Sequence, residues 1–306
     1  MSRSDHRSLV WRSLWSVLFC TGSLIAQELQ PNPIPSIPPA LQSVLPAPGQ
    51  ILARVNGQEI RGAEVRIRML SAPLAEQQQP RPLDYYIEQA VDQFLIEQFL
   101  KSRKVEVPES LVQDRLVAFR QKSAQLTGDA APALDRMGLD EVSLERQVRL
   151  ALGWLKHAQS VITDEQLRQY FREHQEEFDG TRIPVRQVFR EVPPAAAESS
   201  WLAAEEALRA ASVPEKGEDL GQITRRNQKL PQELIRAAFE ARPGEWGDVI
   251  RTPLGVHRLF VGDKIPGLLS LEDVRLEIFP ILSQQLWEAE VQRQRQRARI
   301  QIPGPQ

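Results

Sequence analysis

The chain has 306 residues, a formal net charge of −2 and 25% charged residues, a globular composition with room for about two domains at roughly 100–200 residues each. The near-neutral balance argues against nucleic acid as a partner, because phosphate recognition requires a concentrated basic surface. Aromatic residues make up only 6%, and Glu, Gln, Arg and Leu dominate the middle of the chain, which predicts a largely helical protein.

In chain order, residues 1–26 read as an export signal. Arg3, Arg7 and Arg12 supply the positive end, an apolar core runs from Leu14 to Ile25, and Ala26 offers a small residue for cleavage. The core is shorter than the roughly 20 apolar residues of a membrane span. The expected location is therefore exported, periplasmic or otherwise extracytoplasmic, with the segment either cleaved or kept as a membrane anchor. Cys20 is the only cysteine, and the bulky Phe19 before it disfavours lipidation. Residues 27–50 carry a run of prolines from Pro31 to Pro48 with almost no charge. Proline fixes φ and removes a backbone donor, so this stretch predicts a semi-extended linker.

From Ile51 the pattern changes. Ile51 to Val55 reads as a strand and Asn56-Gly57 as a turn. Helical periodicity starts near Gly62. A strong helix follows over about Asp84 to Arg103, with Ile87, Val91, Leu95, Phe99 and Leu100 on one stripe. Pro108 opens another helix, a loop lies around Gly128 to Pro132, and Ser143 to Val161 is helical again. Thr163 to Gln166 has the capping-box spacing, and Gly180 suits the end of the helix it opens.

A strand covers Val185 to Phe189, and a single helix, about Ala196 to Ala211, lies between it and Asp219. Asp219-Leu220-Gly221 reads as a turn leading into a short irregular loop. From Pro231 to Ala241 the apolar residues Leu234, Ile235, Ala238 and Phe239 share one helical face. Two strands follow, Trp246 to Arg251 and Val256 to Val261, joined by a turn at Pro253 to Gly255, and the second carries His257. Leu271 to Arg297 reads as one long helix and Ala298 to Ile302 as a short strand. The arginines at 293, 295, 297 and 299 suit a helix C-terminus electrostatically.

His6, His157, His174 and His257 have no metal-ligand spacing, and no nucleophile elbow, P-loop or dinucleotide fingerprint occurs. No metal or cofactor is expected.

Taken together, Asp219-Leu220-Gly221, Leu230-Pro231, Ala237-Ala238-Phe239, Pro243-Gly244-Glu245 and Gly255-Val256-His257 resemble the second half of a parvulin-type (PpiC-like) peptidyl-prolyl isomerase domain. Val55-Asn56-Gly57 after a short strand, the helices behind it and the Thr163–Phe178 segment resemble the secreted SurA- and PrsA-type chaperone–isomerases. The resemblance implies an α+β fold: a mainly helical chaperone domain built from both chain ends, with a small α/β isomerase domain inserted. The implied layout is a helical domain over 51–180, the isomerase domain over 181–265, and a C-terminal helix and strand over 266–306 that return to the first domain. The strand near Ile51–Val55 would then pair with that near Arg299–Ile302.

The resemblance also implies function. Substrates would be unfolded or extended polypeptides containing proline, and the reaction would be rotation of X-Pro bonds. By position, Leu230, Leu234 and Phe239 would form the proline pocket, with Thr252, His257 and Gln187 as its polar groups. Two departures stand out. Gln187 occupies the place where the family carries a histidine, and glutamine cannot titrate. The connection from Phe189 to Asp219 also lacks the second helix and Ser-rich loop usual in the family. Three readings stay open: a folding factor with a working isomerase domain, a peptide-binding chaperone whose isomerase domain no longer catalyses, and, if the N-terminal segment is not cleaved, a structural adaptor tethered at the membrane.

Overall fold

The computed structural model describes residues 37–127, 141–210 and 217–303. The expected export signal with Cys20, the first part of the proline-rich stretch and the loop at 128–132 lie outside the described residues. In chain order the structure contains α1 (Pro39–Gln42), β1 (Ile51–Val55), β2 (Gln58–Arg61), α2 (Gly62–Leu70), α3 (Leu74–Gln78), α4 (Leu83–Ser102), α5 (Glu109–Thr127) and α6 (Glu141–Val161). It continues with α7 (Asp164–Glu173), α8 (Gln175–Phe178), β3 (Arg182–Glu191), α9 (Glu198–Ala210), β4 (Glu218–Thr224) and α10 (Gln232–Glu240). Last come β5 (Trp246–Thr252), β6 (Gly255–Val261), α11 (Leu271–Arg295) and β7 (Ile300–Gln301). The architecture is α+β. The chain divides into two compact units, one of residues 1–163 with 281–306 and one of Asp164–Pro280. The helix at 164–173 thus falls in the second unit, which is longer at both ends than the 181–265 span read from sequence.

In the first unit, Asn56 and Gly57 both have positive φ (51° and 84°), the geometry of a two-residue hairpin turn, and they join β1 to β2. On its other edge β1 pairs with β7, Val55 opposite Ile300 and Arg54 opposite Gln301. Asn56 secures that edge twice: its N–H donates to the Arg299 carbonyl at 2.9 Å, and its Oδ1 accepts from Arg299 N–H at 2.9 Å. The strand pairing of the two chain ends expected from sequence is therefore present.

α4 is the axis of this unit. Its Tyr86, Ile87, Ala90, Val91, Phe94 and Leu95 pack with β1, β2 and α2. Its Ile96, Phe99 and Leu100 pack with Trp154, Trp287 and Val291, so α4, α6 and α11 share a second core. Each fully buried aliphatic or aromatic side chain there contributes about 1.5–3 kcal/mol. Trp154 and Trp287 meet edge-on at 4.9 Å, and the Trp154 indole N–H donates to Ser283 Oγ at 3.0 Å. Arg295 engages Asp92 at 2.5 Å and Glu88 at 2.7 Å. That arginine locks α11 to α4 and is not part of a free basic surface.

One expectation needs correction. The described part of the supposed linker, residues 37–50, folds onto this unit. Leu41 is fully buried in the α4 core, with Ile37 and Leu45 beside it. Gly62 and Ala63 donate backbone hydrogen bonds to Gln50 and Pro48, and a Cβ on Gly62 would collide with the Ala47 carbonyl. The prolines start a short helix and fix turns, while the leucines between them supply apolar contacts.

The second unit is built on an antiparallel sheet of order β4-β3-β6-β5. Side chains alternate between its faces. Val188, Val249 and Val256 pack under Trp201, Ala204 and Leu208 of α9. Ile183, Val185, Leu259 and Val261 face the other way and pack under Leu234, Ile235, Ala238 and Phe239 of α10. Arg258 donates to the carbonyls of Leu208 and Arg209, which closes the C-terminal end of α9.

A second correction concerns Asp219-Leu220-Gly221. It lies within a strand, β4, rather than opening an irregular loop. Val185 pairs with Gly221 and Arg186 with Asp219, so Leu220 is an extra residue. Gly221 takes φ +73° and donates its N–H to Asp219 Oδ1 at 2.8 Å. These are the local signs of a turn, but the structure uses them for a β-bulge.

Candidate functional site

The sheet face under α10 carries a run of polar side chains at its far end. Gln187 follows Ile183 and Val185 at the strand period, and His257 precedes Leu259 and Val261 in the same way. Ile250 and Thr252 of the edge strand share that face, Ile250 being the register partner of His257. Gln187 is 8% exposed, Thr252 4% and His257 3%. Strand alternation, combined with the register of β3, β6 and β5, therefore places three of the expected site residues together in a buried environment.

They form one hydrogen-bonded chain. Thr252 Oγ1 lies 2.8 Å from His257 Nε2, and His257 Nδ1 lies 2.9 Å from Gln187 Oε1. Gln187 Nε2 then donates to Glu218 Oε2 at 2.7 Å. At the opposite end, Thr252 Oγ1 accepts the N–H of Leu254 at 3.2 Å. Burial holds His257 below its ordinary value near 6.5, with the Glu218 charge acting the other way. A neutral imidazole suits the chain, since it then has one ring nitrogen to donate and one to accept.

Sequence reasoning missed Glu218 and Phe189. Glu218 is the register partner of Gln187 across β3 and β4, which becomes visible only once the bulge sets the register. Phe189 is the register partner of His257 and its ring lies 4.6 Å from the imidazole, tilted by 30°. Phe189 is 41% exposed, and Leu254 at the next turn is 60% exposed. The strand period could have placed Phe189, because it is two residues beyond Gln187.

The three expected pocket residues behave differently from one another. Leu234 (2% exposed) and Phe239 (3%) belong to the core under α10. The Arg225 guanidinium covers the Phe239 ring at 4.6 Å and the Lys264 ammonium lies 5.9 Å from it. Glu176 joins those two cations, at 3.1 Å and 2.7 Å. Leu230 is half-buried against the same core. Its loop is fixed by Asn227 Oδ1, which accepts the N–H groups of Lys229 and Leu230 at 2.8 and 3.2 Å. Leu230 is thus the accessible member of the three. The cavity between α10 and β5, lined by Ala237, Trp246, Ile250 and Leu259 among others, contains none of the six expected site residues.

One glycine shapes the site. Gly255 has φ +143°, and a Cβ there would collide with the Arg190 carbonyl and come within 2.7 Å of Val192 N. Its absence of a side chain lets β6 start against β3 and sets the position of His257 two residues later.

Residues 162–276 match the family described as the PPIC-type PPIASE domain. No curated protein sequence matches the chain. Among solved structures, the chain is similar to the peptidylprolyl isomerase PrsA of Bacillus anthracis, at 18% identity over 69% of this chain and 96% of that one, TM-score 0.37. It is also similar to PrsA of Bacillus cereus, at 14% identity over 82% and 92%, TM-score 0.41. A third match is to one of the two SurA-like chaperones PEB4 and Cj1289 of Campylobacter jejuni, at 11% identity over 83% and 100%, TM-score 0.33. The matched residues, 162–276, hold the whole polar chain from Glu218 to His257.

Proposed function

We propose that the protein is an exported folding factor whose second unit catalyses cis–trans isomerisation of X-Pro bonds in unfolded polypeptides. The observation that carries this reading is the continuous hydrogen-bonded chain from buried Thr252, His257 and Gln187 to exposed Glu218, beside accessible apolar groups. The reaction needs neither nucleophile nor metal. Its barrier of about 18–20 kcal/mol is the resonance of the planar amide. An enclosure that excludes water and holds the proline ring favours the twisted amide over the planar one, and fixed dipoles meet the changed nitrogen and oxygen. In this reading Leu230, Phe189 and Leu254 hold the substrate's proline and its neighbour. Thr252 and His257 are the catalytic polar groups, and Gln187 stands in for a second imidazole as a neutral hydrogen-bond partner. Leu234 and Phe239 support the pocket from beneath.

A second reading has its own observation: Leu234 and Phe239 are closed into the core, and cations cover Phe239. That suits a domain that binds extended peptide without twisting it. The two readings separate in an exchange NMR measurement on a short X-Pro peptide, with wild type and Leu230→Ala. Isomerase function predicts acceleration by the wild type that the variant loses. Peptide binding without acceleration, in protein that still prevents client aggregation, would support the second reading.

A further inference from the structure

We propose that Glu218 is a positioning residue of the isomerase site: its carboxylate selects the orientation of the Gln187 amide and, through it, the tautomer of His257. The catalytic consequence rests on the isomerase reading above, whereas the coupling itself does not.

The donors and acceptors along the chain fix where its protons lie. Gln187 and Glu218 are register partners on neighbouring strands, so their side chains leave the sheet on the same face. A carboxylate only accepts, so the Gln187 group 2.7 Å from Glu218 must be the amide NH₂. The amide oxygen then faces His257 Nδ1 at 2.9 Å, and that nitrogen must carry the ring proton. Nε2 is left with its lone pair and accepts the Thr252 hydroxyl proton at 2.8 Å. Thr252 Oγ1 in turn accepts the Leu254 N–H. Every proton along the chain has one place to be.

Without Glu218 the count loses its direction. A glutamine can turn over, present NH₂ to His257 Nδ1 and force the proton to Nε2, where the Thr252 oxygen can accept it. The two arrangements would then interconvert, and the dipoles facing a substrate would have to reorganise during the reaction. A histidine at position 187 would carry its own tautomeric choice. A glutamine there needs an external acceptor to fix it, and Glu218, an exposed residue at the first position of β4, supplies one.

The test uses the full chain with ¹⁵N-labelled histidine, the His257 signals being identified by their loss in His257→Gln. The wild type should show a protonated, pyrrole-type Nδ1 and a bare, pyridine-type Nε2. Glu218→Asp should keep that pattern. Glu218→Lys replaces an acceptor by a donor, so the amide should turn over and the two ring signals exchange character. Isomerisation by Glu218→Lys should fall by about tenfold in kcat with KM little changed, as loss of preorganisation predicts. A wild type with the proton on Nε2, or the same tautomer in wild type and Glu218→Lys, would overturn the proposal. A tautomer switch in protein with no isomerase activity would leave the positioning role standing and remove the isomerase reading. A switch with unchanged kcat would remove the catalytic role.

Discussion

Gln187 Oε1 and His257 Nδ1 lie 2.9 Å apart on adjacent strands, and neither side chain is more than 8% exposed. Glutamine therefore keeps the contact that a second histidine would make while giving up its titration. Gln187→Leu leaves the His257 ring N–H and the Glu218 carboxylate without this partner. We expect a loss of about 1–3 kcal/mol, the usual cost of a buried polar group left unsatisfied, read from the urea midpoint. Gln187→His should stay within about 1 kcal/mol of the wild type, because an imidazole can serve as the partner.

His257 also sets a pH dependence. Its folded pKa is depressed by burial, so as pH falls the unfolded chain takes up the proton first. The resulting stability is fully present above the ordinary value near 6.5 and is lost as pH falls through the lower folded value. His157 is depressed for the same reason and contributes in the same direction from the first unit. Urea unfolding followed between about pH 7.5 and pH 5 should show a shallower loss of stability in His257→Gln than in wild type.

Gly255→Ala should be among the most damaging small substitutions in the second unit. It forces a non-glycine residue to φ +143° and pushes a methyl into the backbone of β3. The backbone conformation alone costs about 1–3 kcal/mol. The expected result is a lowered thermal midpoint and loss of the His257 ring signals characteristic of the folded site. Gly221→Ala, with positive φ but nothing near its Cβ, should cost less.

The joining of α6 to α11 gives a further prediction. Ser283→Ala leaves the buried Trp154 indole N–H without its acceptor and should cost about 1–3 kcal/mol. Trp154→Phe removes the donor as well, so Ser283→Ala made in that background should cost distinctly less. A double-mutant cycle on the full chain measures the difference.

Much of this was legible in the sequence for specific reasons. The apolar face of α10, the Pro253–Gly255 turn and the Asn56-Gly57 turn are local signals, and each formed where its residues predict. The polar trio Gln187, Thr252 and His257 came from aligned motifs, and strand alternation then brought it to one face. What stayed hidden depends on contacts distant in sequence. The role of Glu218 requires the register of β4, which the bulge at Leu220 shifts by one residue. The packing of residues 37–50 requires Leu41 to meet α4, although proline content alone suggests a free spacer. Burial of Leu234 and Phe239 follows from α10 lying flat on the sheet, so that a residue type suited to a ligand pocket is used for the core.

The most direct test is the rate of cis–trans exchange of a short X-Pro peptide in the presence of the full chain, compared with Thr252→Val. This variant keeps the shape of the side chain but withdraws the hydroxyl from His257 Nε2 and Leu254 N–H. The account predicts acceleration by the wild type and a drop of about tenfold or more in the variant, with folding intact by circular dichroism. Equal rates for the two proteins, or no acceleration by the folded wild type, would contradict it.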